Sequence, residues 1–476
     1  MTTSDLHYLP ATEALKLFRA RKLSPVELMQ AVIDRAGKVE PAINAFAETR
    51  YDEALEQARA AEARYAEGGE PPRPLEGLPI AVKEEAPIAG QKNTFGCVPL
   101  RDAVADHTAV FVQRILDAGG IVHARSTTPE FSCAPVTWSK LWGVTRNPWN
   151  TAYSPGGSSG GSGASLAAGS ATLATGSDIG GSIRIPASFC GVVGFKPPYG
   201  RVPETEIFNL DHYCHEGPLA RTVSDCALLE NVIAGPDPSD VVSIRPKLVI
   251  PDRLEPIAGL RIALSTNLGC YEVDEDVVAN THAAADRLRE AGATVEEVSL
   301  PWDLASINEA ARIHFGMIFG PSIQELYDKH GDELTSYARR FIAEGAEIPK
   351  EAFVKGLQLE GHIYTPLGQL LEKFDALICP TFALPALAAD YDSGDPLQIN
   401  GRAITDWLDV LMTVPFNIAS RCPVISVPSG RSRDGVPTGL SVVGRTYDDV
   451  TAFRVAAAHE QRLPWLDAPE RRPAVG

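Results

Sequence analysis

Serines set among glycines between residues 153 and 200 are the side chains of this sequence best suited to chemistry. Gly-Gly-Ser-Ser-Gly-Gly occupies 156–161, and Gly-Gly-Ser occupies 180–182. A serine hydroxyl becomes a nucleophile when a base removes its proton. Glycine lets backbone N–H groups approach a substrate because no side chain intervenes, so the N–H groups of 179–182 could converge into an oxyanion-binding nest. The pattern indicates nucleophilic catalysis, with Ser182 as the candidate nucleophile.

Three other interpretations of this Gly/Ser-rich tract are weaker. A flexible linker does not fit, because apolar residues recur through the tract at core-like spacing. A phosphate-binding loop needs Gly-Lys-Ser/Thr at its end, and that sequence does not follow. A nucleophile elbow, G-x-S-x-G, matches 157–161 with Ser159 as its nucleophile, but Tyr-Ser-Pro at 153–155 makes a poor preceding strand. Since the tract holds no histidine, its base must come from elsewhere in the chain.

The composition is that of an ordinary globular protein. Of 476 residues, 44 % are hydrophobic and 22 % are charged, as is usual for globular domains. The net charge of −18 argues against nucleic acid as a partner, because phosphate binding requires a basic face. The sequence has no apolar run long enough for a membrane span, and its first ten residues lack the basic and apolar regions of a signal peptide. We therefore expect a cytoplasmic protein without a membrane partner.

Sequence patterns typical of metal sites are scarce in this chain. The eight cysteines lack C-x-x-C spacing, and H-E-x-x-H does not occur. The densest group of potential ligands is the run Asp211-His212-Tyr213-Cys214-His215-Glu216. This run could supply metal ligands, although a polar loop near a pocket is the preferred interpretation. We expect no metal and no organic cofactor in the reaction.

Helix-like and strand-like segments alternate along most of the chain. Residues 107–120 follow helical spacing and end in Gly-Gly before the apolar run 121–126. The apolar run 260–265 precedes another helical pattern, and residues 302–372 lack strand signals. Such alternation predicts an α/β fold in which helices cover both faces of a sheet. We expect a single large domain over 1–476, with N-terminal helices over 1–70 and a helical insertion over about 300–372.

A longer pattern contains these serines and resembles the amidase signature family. Its distinguishing parts are GGSSGG, a spacing of 24 residues from Ser158 to Ser182, and DIGGSIRIP at 178–186. Further blocks occur in the family's order: LPIAVKEE (78–85), STTPEF (126–131), TRNPWN (145–150), GPLARTVSD (217–225), CPTF (379–382), FNIASRCPVISVPSG (416–430) and GVPTGLSVVG (435–444). Together they span nearly the whole chain. The resemblance implies the family's fold, a central mixed sheet covered by helices, with the signature core over about 75–230.

The resemblance also implies a Ser–Ser–Lys triad. Ser182 would attack the acyl carbon, Ser158 would relay protons, and Lys83 would be the base. In the family the relay serine follows a cis peptide bond, which here would be Gly157–Ser158. The apolar run 79–82 before the lysine suggests burial, and burial favours the neutral amine that a base requires.

Supporting positions are implied in the same way. The oxyanion would be bound by the backbone N–H groups of Ile179, Gly180, Gly181 and Ser182. Ser159, Asp178 and Arg184 would lie around the catalytic groups, where Arg184 could hydrogen-bond backbone carbonyls or pair with Asp178. One departure is Glu84, because many family members have aspartate after the lysine. We expect its longer side chain to reorient a supporting hydrogen bond without abolishing catalysis.

Aromatic and apolar residues predict the character of the substrate pocket. The family's pocket walls come from variable segments, which here are 131–138, 208–215, 313–319 and the region around 407–416. Candidate pocket residues are Phe131, Trp138, Tyr213, Phe315 and Phe416. Their character favours a small or medium carboxamide that is largely apolar or aryl.

Three alternatives to a free-standing amide hydrolase stay open at this point. The first is hydrolysis of a carbamate or an ester, which presents the same carbonyl. The second is the amidase subunit of a tRNA-dependent amidotransferase, which requires a partner chain. The third is a non-catalytic binding protein on the same fold, against which the intact Lys83, Ser158 and Ser182 argue. We expect a small-molecule amide or carbamate as the binding partner, and the sequence leaves the oligomeric state open, a homo-oligomer included.

Overall fold

A mixed β-sheet of eleven strands runs through the part of the chain that the computed structural model describes, residues 3–66 and 70–475. The strands of that part are β1 (Phe46–Thr49), β2 (Pro79–Lys83), β3 (Ile121–Ser126), β4 (Trp138–Ser139), β5 (Gly143–Val144), β6 (Leu173–Ser177), β7 (Val193–Lys196), β8 (Glu216–Ala220), β9 (Arg261–Leu264), β10 (Thr294–Glu297), β11 (Ala376–Pro380), β12 (Leu397–Ile399), β13 (Arg402–Ile404), β14 (Val424–Arg431) and β15 (Pro437–Gly444).

The order of strands in the large sheet is β1-β3-β2-β6-β8-β7-β14-β15-β11-β9-β10. Strands β3, β2 and β6 are parallel to one another, as are β11, β9 and β10. The other neighbours are antiparallel. Two short hairpins, β4–β5 and β12–β13, lie outside this sheet.

Helices cover both faces of the sheet. In the described residues they are α1 (Ala11–Arg19), α2 (Pro25–Ile43), α3 (Tyr51–Tyr65), α4 (Val110–Asp117), α5 (Gly160–Ala168), α6 (Arg184–Cys190), α7 (Val223–Ile233), α8 (Glu275–Glu290), α9 (Leu304–His330), α10 (Ser336–Ala346), α11 (Ala352–Leu371), α12 (Pro415–Ile418) and α13 (Asp449–Glu460). None of these helices is long and apolar enough to cross a lipid bilayer.

The alternation of side chains along β2 decides where its last residue points. Ile80 and Val82 belong to the core cluster on one face, whereas Ala81 packs with the alanines of α5 on the other face. Because residues two apart in a strand share a face, Lys83 lies on the side of Ala81. The side chain of Lys83 therefore lies at the N-terminal end of α5.

The predicted fold class is confirmed: the chain forms a single large α/β domain with a central mixed sheet flanked by helices. The region 302–372 contains α9, α10 and α11, and the range 1–70 contains α1 to α3, although residues 1–2 and 67–69 lie outside the described part. That range also contains a strand. β1 pairs antiparallel with β3 and extends the edge of the sheet.

Candidate active site

Lys83 and Ser158 meet in the interior, at the end of β2. The lysine side chain is 1 % exposed, and its Nζ donates hydrogen bonds to Ser158 Oγ at 2.7 Å and to Ser177 Oγ at 2.9 Å. Ser177 ends β6, the parallel neighbour of β2. The peptide bond between Gly157 and Ser158 is cis. The structure thus joins the predicted base to the predicted relay serine, although they are 75 residues apart.

Glu85 is the charged partner of this lysine. Its Oε1 lies 2.7 Å from Lys83 Nζ, and its carboxylate accepts hydrogen bonds from Ser177 and Ser132. Burial by itself raises the pKa of Glu85, but the charge of Lys83 and the hydrogen bonds from Lys83, Ser132 and Ser177 outweigh it and lower that pKa below its ordinary value. Lys83 therefore faces a carboxylate that is ionised at neutral pH.

Neighbouring Glu84 faces elsewhere. This residue is fully buried, and its carboxylate accepts the Thr94 N–H. The chain turns after β2, closed by a hydrogen bond from the Ala86 N–H to Lys83 O at 3.1 Å, and this turn brings Glu85 back to the lysine while Glu84 points away. The departure noted in the sequence, Glu84, therefore does not contact the Lys83 ammonium.

Glycine at position 157 lets the segment around Ser158 pack against the backbone of 134–136. A Cβ atom on Gly157 would overlap the carbonyl oxygens of Ala134 and Val136. Ser158 is completely buried, and α5 begins two residues later with every one of its residues buried. Ser159 Oγ donates to Ser177 O at 3.4 Å, so this serine ties the start of the helix to the end of β6.

Ser182 lies in the turn that precedes α6, and its side chain faces a cavity. The Ser159 N–H donates to Ser182 O at 3.1 Å, which fixes the two serine segments side by side. Within the described residues no hydrogen bond joins the hydroxyls of Ser158 and Ser182. Ser182 is 7 % exposed and lines the cavity, so its hydroxyl is open to a ligand.

A buried ion pair shapes the turn around Ser182. Arg184 Nη2 lies 2.7 Å from Asp178 Oδ1, and both side chains are fully buried. Arg184 Nη1 also donates to Thr413 O at 3.0 Å, so both roles considered for this arginine occur together. Burial raises the pKa of Asp178, but the Arg184 charge and the hydrogen bonds from Arg184 and Asn417 outweigh it and hold that pKa well below its usual range.

The backbone N–H groups of 179–182 divide into two sets. The Gly181 N–H donates to Asp178 Oδ1 at 2.9 Å and supports the turn. The N–H groups of Ile179, Gly180 and Ser182 make no hydrogen bond within the part of the chain described. Gly181 has φ +130°, and a Cβ there would overlap Thr413, so only glycine fits. Three of the four predicted donors are thus free to bind an oxyanion.

Two further buried bases lie behind this turn. His215 Nδ1 donates to Asp178 O at 3.1 Å, and Lys196 Nζ lies 3.3 Å from His215 Nε2. Burial, with the charge of Lys196, lowers the pKa of His215 to about 3. Burial, with the charge of Arg184, lowers the pKa of Lys196 to about 7. No motif or spacing in the sequence had pointed to Lys196.

The cavity in front of Ser182 is apolar and aromatic, and the space between its lining atoms, including the part open to solvent, is about 440 Å³. Its aromatic wall comes from Phe315 and Phe319 of α9, Phe341 of α10 and Trp407, with Leu411 beside them. Gly180 has no side chain between the turn and Phe315, which a Cβ atom on Gly180 would approach to 3.6 Å. A second, more open cavity of about 1200 Å³ shares Phe319 with the first and includes Glu85 and Phe131.

The five predicted pocket residues separate into two groups. Phe315 lines the cavity at Ser182, and Phe131 lines the adjoining one. Trp138 instead packs edge-on against Tyr337, and Phe416 is fully buried beside Trp302. Tyr213 is also fully buried and stacks on His314. These three do not line either cavity, because their rings serve as packing between elements.

Glu85 and Ser177, the polar neighbours of Lys83, were missed by sequence reasoning. For Glu85 the sequence offered only its nearness to Lys83, because the turn after β2 decides which way its side chain faces. Ser177 ends a strand that becomes the parallel neighbour of β2, and that pairing is a property of the folded sheet. Residue type alone does not indicate it.

The site thus combines a buried lysine bonded to a buried serine with a second serine that faces a cavity. On this mixed sheet, that is the arrangement predicted for an amidase. The model of the Amidase family matches residues 27–453, and the chain belongs to this amidase signature family. An acylamidase of Rhodococcus erythropolis is 34 % identical over 98 % of both chains. A glutamyl-tRNA(Gln) amidotransferase chain of Moorella thermoacetica is 34 % identical over 99 % of both chains.

A solved structure extends this similarity to the fold. The crystal structure of a bacterial aryl acylamidase of the amidase signature family superposes with a TM-score of 0.91 at 30 % identity, covering 99 % of this chain and 100 % of that chain. The chain is therefore an enzyme of the amide-hydrolysing class. One alternative left open by the sequence was a non-catalytic binding protein. The acylamidase relatives do not support it, because they are enzymes.

Proposed function

We propose that this amidase hydrolyses small or medium carboxamides that carry an apolar or aryl group, and that it does so without a partner chain. The observation that carries the proposal is the aromatic cavity in front of Ser182. Its lining in the described residues includes no charged side chain. An apolar or aryl group would gain about 25 cal/mol for each Å² that it buries there, whereas a charged group would lose its hydration without a partner.

The proposed chemistry begins with proton transfer. Lys83, as the neutral amine, takes the proton of Ser158 while Ser158 takes the proton of Ser182. The Ser182 oxygen attacks the carbonyl carbon, and the C=O π bond becomes the lone pair of an oxyanion. The free N–H groups of Ile179, Gly180 and Ser182 support its binding, and each such donor contributes about 3 to 4 kcal/mol to lowering the barrier.

Collapse of this intermediate requires protonation of the leaving nitrogen, because an amide anion is a poor leaving group. The proton returns from Lys83 through Ser158 to that nitrogen as the C–N bond breaks. Water then attacks the acyl-Ser182 ester, with the same relay accepting its proton and returning one to Ser182. The products are a carboxylic acid and an amine, and the cycle uses only side chains, backbone N–H groups and water.

Carbamates and esters are further substrates that the same proposal covers. Both present a carbonyl carbon to Ser182 and an oxygen to the same N–H groups. An ester is the easier substrate, since its leaving alkoxide depends less on protonation than an amide nitrogen does. The relay through Ser158 is therefore expected to matter most for amides.

The second candidate is the amidase subunit of an amidotransferase. The supporting observation is that amidotransferase chains share as much sequence identity with this chain as the acylamidase does. The cavity argues against it. Glutamine carries a charged amino group and a carboxylate, which need charged or strongly polar partners, and the cavity wall offers aromatic rings instead.

A hydrolysis screen with the purified chain tests the proposal. An aryl amide such as 4-nitroacetanilide should be cleaved, glutamine should be cleaved far more slowly, and an aryl carbamate and ester should serve as comparisons. Ser182→Ala should abolish turnover and labelling by a fluorophosphonate, whereas Ser188→Ala, a buried serine on α6, is the matched control. Preferred cleavage of glutamine would contradict the proposed substrate class, and turnover by folded Ser182→Ala would contradict the mechanism.

A further inference from the structure

Three potential metal ligands, with a further acidic group beside them, meet on the far side of the aromatic wall. Asp211 and His212 come from the loop before β8, His314 from α9 and Glu360 from α11. None of them lines the cavity at Ser182, and the proposed reaction uses none of them. The sequence showed only the loop residues, because the other two lie about 100 to 150 positions later in the chain.

The distances bring three of these side chains within reach of one ion, and Glu360 lies beside them. His314 Nε2 lies 2.6 Å from Asp211 Oδ1, and His212 Nε2 lies 3.1 Å from Glu360 Oε2. His314 Nδ1 is 3.9 Å from Glu360 Oε1. One ligand atom each from Asp211, His212 and His314 all lie within 4.8 Å of one another.

A second observation points to a ligand at this place. Asp211 is 1 % exposed, and its Oδ2 has no hydrogen-bond partner among the described residues. Its other oxygen already accepts from His314 and from the Tyr213 N–H. A buried carboxylate oxygen without a partner costs free energy, and a cation bound between the carboxylate and the imidazoles would satisfy it.

We propose that Asp211, His212 and His314 bind one divalent transition-metal ion of the zinc type, with Glu360 beside the two imidazoles as an outer partner. Two imidazoles and one carboxylate are a three-ligand set that suits zinc, and a water molecule would complete the tetrahedron. A carboxylate beside the second ring nitrogen of a ligating histidine orients the ring, and Glu360 is placed to do this for His212 and His314. Ligand atoms about 2.0 to 2.1 Å from a tetrahedral ion lie about 3.3 Å apart, so His314 and Asp211 must separate slightly from their present 2.6 Å. The hydrogen bond between them is replaced by their two bonds to the ion.

The ion would act as a structural cross-link. It joins the loop before β8 to α9, and the contact between His212 and Glu360 extends this link to α11. His314 precedes Phe315 of the cavity wall, and the Tyr213 ring stacks on the His314 ring at 3.5 Å, while its hydroxyl donates to Glu360. Bound metal would therefore fix the position of the wall that faces the substrate.

Titration of zinc chloride into the chelator-stripped protein tests this site. The wild type should bind one ion per chain in calorimetry and in competition with a chromophoric chelator, and its Tm should rise with zinc concentration by mass action. His212→Gln and His314→Gln should each weaken binding by at least about 10- to 100-fold, the loss caused by removing even an outer partner of a metal ligand.

Two matched variants test whether zinc binding depends on this site and not on other histidine or cysteine side chains nearby. His362→Gln changes an exposed histidine on the same helix as Glu360, and Cys214→Ser removes the thiol nearest in sequence; both should bind zinc as the wild type does. Equal affinity in His212→Gln and the wild type, or a loss that follows Cys214→Ser instead, would overturn the proposal. His212 is 27 % exposed, so His212→Gln gives a folded test even where His314→Gln does not.

Discussion

Replacing Glu85 by glutamine should move the acidic limb of the pH–rate profile toward lower pH. The Glu85 carboxylate stabilises the ammonium form of Lys83 across 2.7 Å, and the proposed mechanism requires the neutral amine. The amide of glutamine keeps the size of the side chain and one acceptor oxygen; because Ser132 donates to Oε2 and Ser177 to Oε1, one of these two hydrogen bonds is kept and the other serine faces the amide NH2. Without the negative charge, the site no longer favours a positive charge at the position of Lys83.

The magnitude follows from the separation of the two charges. At 2.7 Å Coulomb's law gives about 6 kcal/mol with an effective dielectric constant of about 20, and about 1.5 kcal/mol with the value for water. At about 1.36 kcal/mol per pH unit, these energies would displace the acidic limb of the profile by about 4.5 and about 1 pH units. A single neighbouring charge typically has an effect of about 1 to 3 pH units, and we expect the limb to move by that amount.

The assay is kcat/KM for one aryl amide from about pH 5 to about pH 10, since this profile reports groups of the free enzyme. Glu84→Gln is the matched control. Burial raises the pKa of Glu84, so glutamine resembles the protonated form that its site favours, and the profile should not move. An acidic limb that stays in place in Glu85→Gln, or moves to higher pH, would refute the reasoning.

Three more predictions concern the parts of the site separately. Asp178→Asn leaves the Arg184 charge buried without its partner and should lower the free energy of unfolding by about 3 to 5 kcal/mol; urea denaturation measures this, and Glu296→Gln, in an exposed ion pair, should cost less than about 1 kcal/mol. Phe315→Ala should lower kcat/KM for an aryl amide by about 10- to 200-fold and change that for acetamide much less; an equal loss for both would place Phe315 outside substrate recognition. Lys196→Met should flatten the pH dependence of stability. The native pKa of Lys196 is about 7, below its ordinary value of 10.5, so in this window the unfolded chain holds a proton that the native protein lacks, and wild-type stability rises with pH there. Unfolding measured across the window should show a steeper rise for the wild type than for Lys196→Met, and parallel curves would contradict the assigned shift.

The sequence carried most of the information about the fold and about the positions of the base and the relay serine. Apolar alternation marked the strands, and the small residues of 156–168 are those that a helix needs to pack this closely on a sheet. Lys83 could be placed because a strand's last residue lies at the sheet's end. Lys83 and Ser158, the two ends of the proposed proton relay, are in contact in the folded protein. Along the chain they are 75 residues apart, and only the motif resemblance connected them.

The substrate cavity was harder to predict, for a physical reason. Aromatic residues gain free energy equally by packing in a core and by lining a pocket, so residue type did not separate Phe315 from Phe416. Phe416 packs against Trp302 in the interior, whereas Phe315 lines the cavity next to Gly180. Trp407 lies at the start of the predicted pocket segment 407–416, whereas Phe341 was missed because its contribution depends on how α9 and α10 pack over the turn at Ser182.

The aromatic wall and the catalytic groups belong to different parts of the molecule. The groups proposed to break the bond come from residues 83–182, held by the sheet and by glycine-rich turns, whereas Phe315, Phe319 and Phe341 project from the helices α9 and α10. Substitutions on those helices can alter the shape of the cavity without moving a strand. Selection for a new amide can therefore act on α9 and α10, and directed evolution of this enzyme should find altered specificities there.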